Sequence, residues 1–157
     1  MHVILNNYQI NHDTMSLLPI AHIDYSTHVI ERTREFFVKQ TALQIIQSSC
    51  IIGGSTFNGR RQAMFYMTGA KQKTPIPVFP NLNIIAFPTE SPNNFECKWI
   101  FCNHVLKIKP NLGPTRTTHP SIIIFKNGQE ILMTESYYLL QKQFERTARC
   151  ILQLSTP

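Results

Sequence analysis

The chain has 157 residues, 43% hydrophobic and 15% charged, and its 15 Lys/Arg against nine Asp/Glu give a formal net charge of +6. That length suits one domain, residues 1–157, able to bury about 70% of its unfolded surface, and the composition is not that of a disordered chain. The longest unbroken apolar run is five residues, 63–67, where a membrane span needs about 20; residues 1–10, broken by His2, Asn6, Asn7 and Gln9, do not read as a signal peptide, so a cytoplasmic location is expected.

Short β-branched or aromatic segments between polar turns predict strands at 15–23, 27–31 and 35–39. Thr41 then stands where a helix cap belongs, and Leu43, Ile46 and Cys50 share one helical face. Gly53 and Gly54 end that helix. A loop at 55–59 leads to a second short helix, 60–68, closed by Gly69. Pro75, Pro77 and Pro80 exclude helix and favour extended backbone. Segments 84–87 and 98–108 predict strands, and 111–120 predicts a loop. Asn127-Gly128, between apolar segments 121–126 and 129–133, predicts a two-residue hairpin in which both positions take positive φ. A last helix starts near Ser136, with Tyr137, Leu140, Phe144, Ala148 and Ile151 on an apolar stripe and Lys142, Arg146, Arg149 and Gln153 on the opposite face. The expected fold is α+β: a strongly bent antiparallel sheet closed by the C-terminal amphipathic helix, with a helical insertion near 42–68. The order of elements resembles a pleckstrin-homology-like barrel, an analogy of order only.

The positive charge is concentrated. Residues 1–50 carry three Lys/Arg and four Asp/Glu, residues 51–126 carry nine basic residues against Glu90 and Glu96, and residues 127–157 carry three of each. Such asymmetry points to a polyanion, be it DNA, RNA or acidic lipid. Within the basic segment, residues 53–61 join glycines, which let backbone amides approach an anion, to a helix start, which favours anions. Arg60 and Arg61 oppose the helix dipole there by about 0.3–1 kcal/mol each, and a phosphate held between amides and guanidinium groups, with Gly59 allowing close approach, offsets this. The plainer reading is two capping glycines and two solvated arginines. Lys71 and Lys73 after that helix, and Lys107 and Lys109 near a strand end, extend the basic set. Arg146 joins it, although cations in the final turns of a helix also complement its dipole.

Other chemistry finds little support. Cys50, Cys97, Cys102 and Cys150 lie in apolar stretches and are expected as reduced, buried thiols. Cys97, Cys102 and His104 have a loose metal look, but a single Cys-x4-Cys lacks the second pair of a structural zinc site, and strand alternation puts the two cysteines on opposite faces. No metal or other cofactor is expected. The nucleotide-loop ending Gly-Lys-Ser/Thr, Gly-x-Ser-x-Gly, His-Glu-x-x-His and Gly-x-Gly-x-x-Gly are all absent, and the nine carboxylates form no obvious pair. An enzyme is not expected.

An ordered set of residues resembles the ComK family. It runs through Ser49-Cys50, Gly54-Ser55, Gly59-Arg60, Lys73-x-Pro75-Ile76, Phe87-Pro88-Thr89 with Ser91, and Cys97-x-Trp99-Ile100. It continues with Phe125-x-Asn127-Gly128, Ser136-Tyr137 and Gln143-x-x-Arg146-Thr147-Ala148. The match spans most of the chain and is weaker over the first forty residues. The resemblance implies a nucleoid-associated transcription activator of competence genes, for DNA uptake and recombination. Its partner would be double-stranded DNA at AT-rich promoter boxes, bound as a homo-oligomer and largely through the minor groove, with RNA polymerase a further partner. Arg60 is then the residue to place in the groove, with Arg61, Lys71 and Lys73 on neighbouring phosphates. Family members continue beyond the last helix whereas this chain stops at Pro157; the resemblance ties that tail to adaptor-mediated proteolysis and assembly, so adaptor control and oligomeric state stay open. Three rivals stand beside this reading: an anionic-lipid module holding lipid phosphates with Arg60, Arg61, Lys71 and Lys73, a single-stranded nucleic acid binder stacking bases on Phe57, Phe65 or Tyr66, and a redox sensor using Cys97 and Cys102.

Overall fold

Alternation of apolar side chains along the central strands sets the architecture, because successive residues of a strand face opposite sides of its sheet. The computed structural model describes residues 3–155; the ends of the 1–10 stretch and of the 1–157 domain assignment, with Pro157, lie outside the described residues. Seven strands form the larger sheet: β1 (Val3–Leu5), β2 (Thr14–Pro19), β3 (Thr27–Glu31), β4 (Glu35–Val38), β5 (Ile76–Phe79), β6 (Ile84–Pro88) and β7 (Trp99–Phe101), in the order β1-β4-β3-β2-β7-β6-β5. Three more, β8 (Val105–Pro110), β9 (Ser121–Phe125) and β10 (Glu130–Met133), form a second sheet in the order β10-β9-β8. The helices are α1 (Ala42–Ile52), α2 (Phe57–Thr68) and α3 (Tyr137–Ser155).

Both faces of the large sheet are covered. Leu17, Val29, Ile84, Ala86, Trp99 and Phe101 point into one core with Ala42, Ile45, Ile46 and Cys50 of α1. Met15, Ile30, Phe87 and Ile100 point the other way, into a second core with Val105, Ile108, Ile123, Phe125 and Met133 of the small sheet and Leu140 of α3. Met15 and Leu17 would share a face in a regular strand; the register shift between Thr14 and Ser16 sends them to opposite cores. Similar shifts in β5 and β8 bend those strands.

The α+β class, the helical insertion and the C-terminal helix match expectation, and the closed barrel does not. The chain forms two sheets with open edges, and β1 pairs with β4 in parallel, so the large sheet is not purely antiparallel. The segment 98–108, expected as one strand, breaks at a 3-10 turn, Cys102–His104, where the chain leaves the large sheet for the small one. The hairpin at Asn127-Gly128 also differs. Only Gly128 has positive φ, and its N–H donates to Phe125 O, so the connection is a turn closed by one left-handed glycine. Helix α1 starts at the expected cap, where Thr41 Oγ1 accepts from Gln44 N and Gln44 Oε1 accepts from Thr41 N. Among the described residues, no helix is long and apolar enough to cross a membrane.

One buried polar cluster ties the segment 8–14 to the turn between β3 and β4. Glu31 is 2% exposed and accepts from Tyr8 Oη (2.5 Å), Asn11 Nδ2 (3.1 Å) and Arg34 Nε (2.7 Å). Burial alone pushes its carboxyl up, but these donors outweigh it and hold the group below its ordinary value of 4.5. A carboxyl with a depressed folded pKa contributes stability that is present above its unfolded value and lost as pH falls through the folded one. Glu31→Gln is therefore expected to lower stability by about 1.5–3 kcal/mol at neutral pH and to flatten the acid limb of the stability profile. Urea melts between pH 3 and 7 measure both; an unchanged acid limb would contradict the assignment.

Candidate nucleic-acid interface

From Phe36 to Thr89 the sequence contains no Asp or Glu, and the fold turns this gap into a surface. Helix α2 begins at Phe57, earlier than expected, because Thr56 caps it: Thr56 Oγ1 accepts from Gly59 N at 2.9 Å. Phe57 then meets Trp99 edge-on, at 6.3 Å and 85°, which seats α2 on the first core. Gly53 lets α1 end close against β5, since a Cβ there would lie 2.6 Å from Val78 O.

This geometry changes the 53–61 segment from an amide cradle to a side-chain platform. The amides of Gly53, Gly54, Ser55, Gly59 and Arg60 all donate within the segment or to α1. Arg60 Nη2 donates to Gly53 O at 2.7 Å, while its Nε is buried without a partner. Arg60 thus ties the start of α2 to the end of α1. Arg61, one residue on, is exposed and makes no ion pair among the described residues.

The loop after α2 is held by α3. Arg146 Nη2 donates to Gln72 O and Lys73 O, each at 2.5 Å, and Gln143 Nε2 donates to Lys73 O and to Pro88 O. Lys73 sits at φ 48, the left-handed region that a residue with a Cβ adopts only when its surroundings impose it. Burial pulls the Arg146 guanidinium below its usual range, and neighbouring Arg149 adds to this. Arg146 was expected on the solvent face of α3; it is half-buried, because Gln143, Thr147 and Cys150 extend the dry face of the helix toward it.

The result is a run of concavities sharing their walls. Arg61, Lys71 and Lys73 line one, Lys71, Arg146 and Arg149 the next, and Lys73, Lys142, Arg146 and Arg149 a third. Among the described residues, none of the five ion pairs recruits a cation of this face. Glu135, at its rim, is held by Lys98 at 3.1 Å. Sequence reasoning singled out Arg61, Lys71, Lys73 and Arg146 but left Lys142 and Arg149 out of the site. Their contribution follows from α3 packing beside the 70–74 loop, which no local pattern announces. Lys107 and Lys109 lie apart, exposed on the edge strand β8 of the small sheet.

The cysteines face the interior. All four are buried and free, and burial pushes the Cys50 thiol up to about 11 and that of Cys102 to about 12. Thiols so placed hold little of the thiolate that a redox sensor needs.

Residues 5–156 match the family model described as ComK protein. The chain is 33% identical over 147 residues to the competence transcription factor of Bacillus subtilis (strain 168), an alignment covering 92% of this chain and 73% of that protein. No solved structure matches it.

Proposed function

The chain belongs to the ComK family, and on that premise we propose that it is a DNA-binding transcription activator of competence genes that docks on AT-rich duplex through the α2–loop–α3 face. The observation that carries this reading is the set of cations there: Arg61, Lys71, Lys73, Lys142 and Arg149 line adjoining concavities outside every ion pair of the described residues, and Glu135 at the rim is taken by Lys98. A surface of that kind suits a phosphate backbone, whose bound counterions it releases. Arg61 takes the groove position that the sequence suggested for Arg60, since Arg60 is already engaged by Gly53 O. A narrow AT-rich minor groove concentrates negative potential and draws arginine in. Gly59 and Arg60 then shape the junction that presents Arg61, and Arg146 fixes the loop that presents Lys71 and Lys73. Lys107 and Lys109 make a separate basic edge, placed to meet DNA flanking the box or bound by a neighbouring copy in a homo-oligomer. Activation by such a protein calls for contact with RNA polymerase elsewhere on its surface.

The test is competition. An AT-rich duplex carrying paired boxes is expected to displace a labelled AT-rich probe about a thousandfold better than a GC-rich duplex of equal length, the low end of the range that separates specific from non-specific binding. Equal competition by both duplexes, or better competition by single strands or anionic vesicles, would replace this reading with one of the other polyanions.

A further inference from the structure

The only five-residue apolar run in the sequence, Ala63 to Met67, gives the interior one side chain. Met64 is fully buried, but Phe65, Tyr66 and Met67 are 44%, 91% and 36% exposed. Two residues along a helix turn it by about 200°, so Tyr66 stands on the ridge directly away from Met64. An aromatic ring on such a ridge adds nothing to folding, and contiguous exposed apolar groups mark a contact surface.

The flanks say what kind of contact. Arg61 lies one turn before Phe65 on the same side of α2, and Lys71 Nζ lies over the Phe65 ring, 5.9 Å from its centroid. Arg61, Phe65 and Lys71 line one shared depression. The apolar point is narrow, because Asn58 and Gln62 occupy the same outer surface. An in-plane membrane helix needs a broad apolar face beside its cations, and a stable protein interface needs a wider patch than one ridge. Tyr66 projects beside Phe65, the ring that the two cations flank, and a ring so placed fits a base-pair step next to the backbone.

We propose that Tyr66, supported by Phe65, is a wedge that inserts between base pairs of the bound duplex while Lys71 holds a neighbouring phosphate and Arg61 lies in the adjoining minor groove. This rests on the DNA reading above and adds a deformation to it. Apolar wedges of this kind partly unstack a step, and AT-rich pyrimidine–purine steps yield most easily. Selectivity for AT-rich boxes would then come partly from how readily they open, at positions no side chain hydrogen-bonds.

The probe is an AT-rich duplex carrying 2-aminopurine at a TA step, whose fluorescence rises when the base unstacks. Binding of the intact chain is expected to raise that signal about twofold or more, and Tyr66→Ala to abolish the rise and weaken binding about tenfold, the scale of losing one stacked base. Tyr66→Phe should retain both, while the salt dependence of binding stays the same in all three proteins, since no phosphate contact changes. Duplex binding without a fluorescence rise, or a rise that persists in Tyr66→Ala, overturns the wedge and leaves the DNA reading standing. Failure to bind any duplex overturns both. Tyr66-dependent binding to vesicles of acidic phospholipid, with none to duplex, assigns the ridge to a membrane instead.

Discussion

Arg146→Ala is expected to lower stability by about 1–3 kcal/mol, because it removes two charge-assisted hydrogen bonds, one exposed and one part-buried, and to weaken DNA binding along with it. The side chain reaches from the middle of α3 to Gln72 O and Lys73 O, 74 and 73 residues away in the chain. Lys73 is held in a left-handed conformation there, and Gln143 alone would remain to hold its carbonyl. Arg146→Lys is not expected to rescue the loop, since an ammonium lacks the planar fork that spans two carbonyls. Urea denaturation gives the stability. Binding measured where the variant is still folded gives the second readout: affinity should fall while the salt dependence stays near the intact chain's, as befits a positioning residue. Unchanged stability, or a salt slope reduced as if one phosphate contact were lost, would make Arg146 a direct contact.

The second large effect separates contact from scaffold in the opposite direction. Replacing Arg61, Lys71 and Arg149 together by alanine is expected to weaken binding about a hundredfold at moderate salt, uniformly over sequences for the phosphate-contacting lysine and more strongly on AT-rich DNA for Arg61. All three side chains are exposed and outside every ion pair of the described residues. Surface substitutions of that kind usually change stability by no more than about 0.5 kcal/mol each. Gel shifts and urea melts on the same preparations should therefore show lost affinity with retained fold, where Arg146→Ala loses both.

How much of this was legible in the sequence depends on where each residue finds its partner. Strand β3 and helix α1 could be read because their signals are local: Thr41 bonds Gln44 three residues on, and Gly53 ends the helix it follows. Strand β1 went unread because three residues carry no period, and it exists by pairing with β4. The break at Cys102–His104 was hidden because both sides of it are apolar: Phe101 enters the first core and Cys102 the second. The site shows the same division. The positive window was plain from composition, and Arg61 and Lys71 stand outside every ion pair of the described residues, as a charge count assumes. Arg60 and Arg146 are not, since backbone carbonyls hold their guanidinium groups, and nothing in a residue's neighbours in sequence distinguishes a tethered arginine from a free one. The exposed ring of Tyr66 was read as a stacking group only under a rival function; its place beside Phe65, which Arg61 and Lys71 flank, required the fold.

The most direct measurement of the central claim is the salt dependence of binding to the AT-rich duplex, for the intact chain and for the Arg61→Ala, Lys71→Ala, Arg149→Ala protein. If the α2–loop–α3 face carries four or five phosphate contacts, log affinity should fall against log salt with a slope of about −4 to −5. The substituted protein, which loses the phosphate contacts of Lys71 and Arg149 while Arg61 acts in the groove, should then show a slope shallower by about 2. The same steep slope in both proteins would contradict the account, because the duplex would then be held by another surface, with the basic edge at Lys107 and Lys109 next in line.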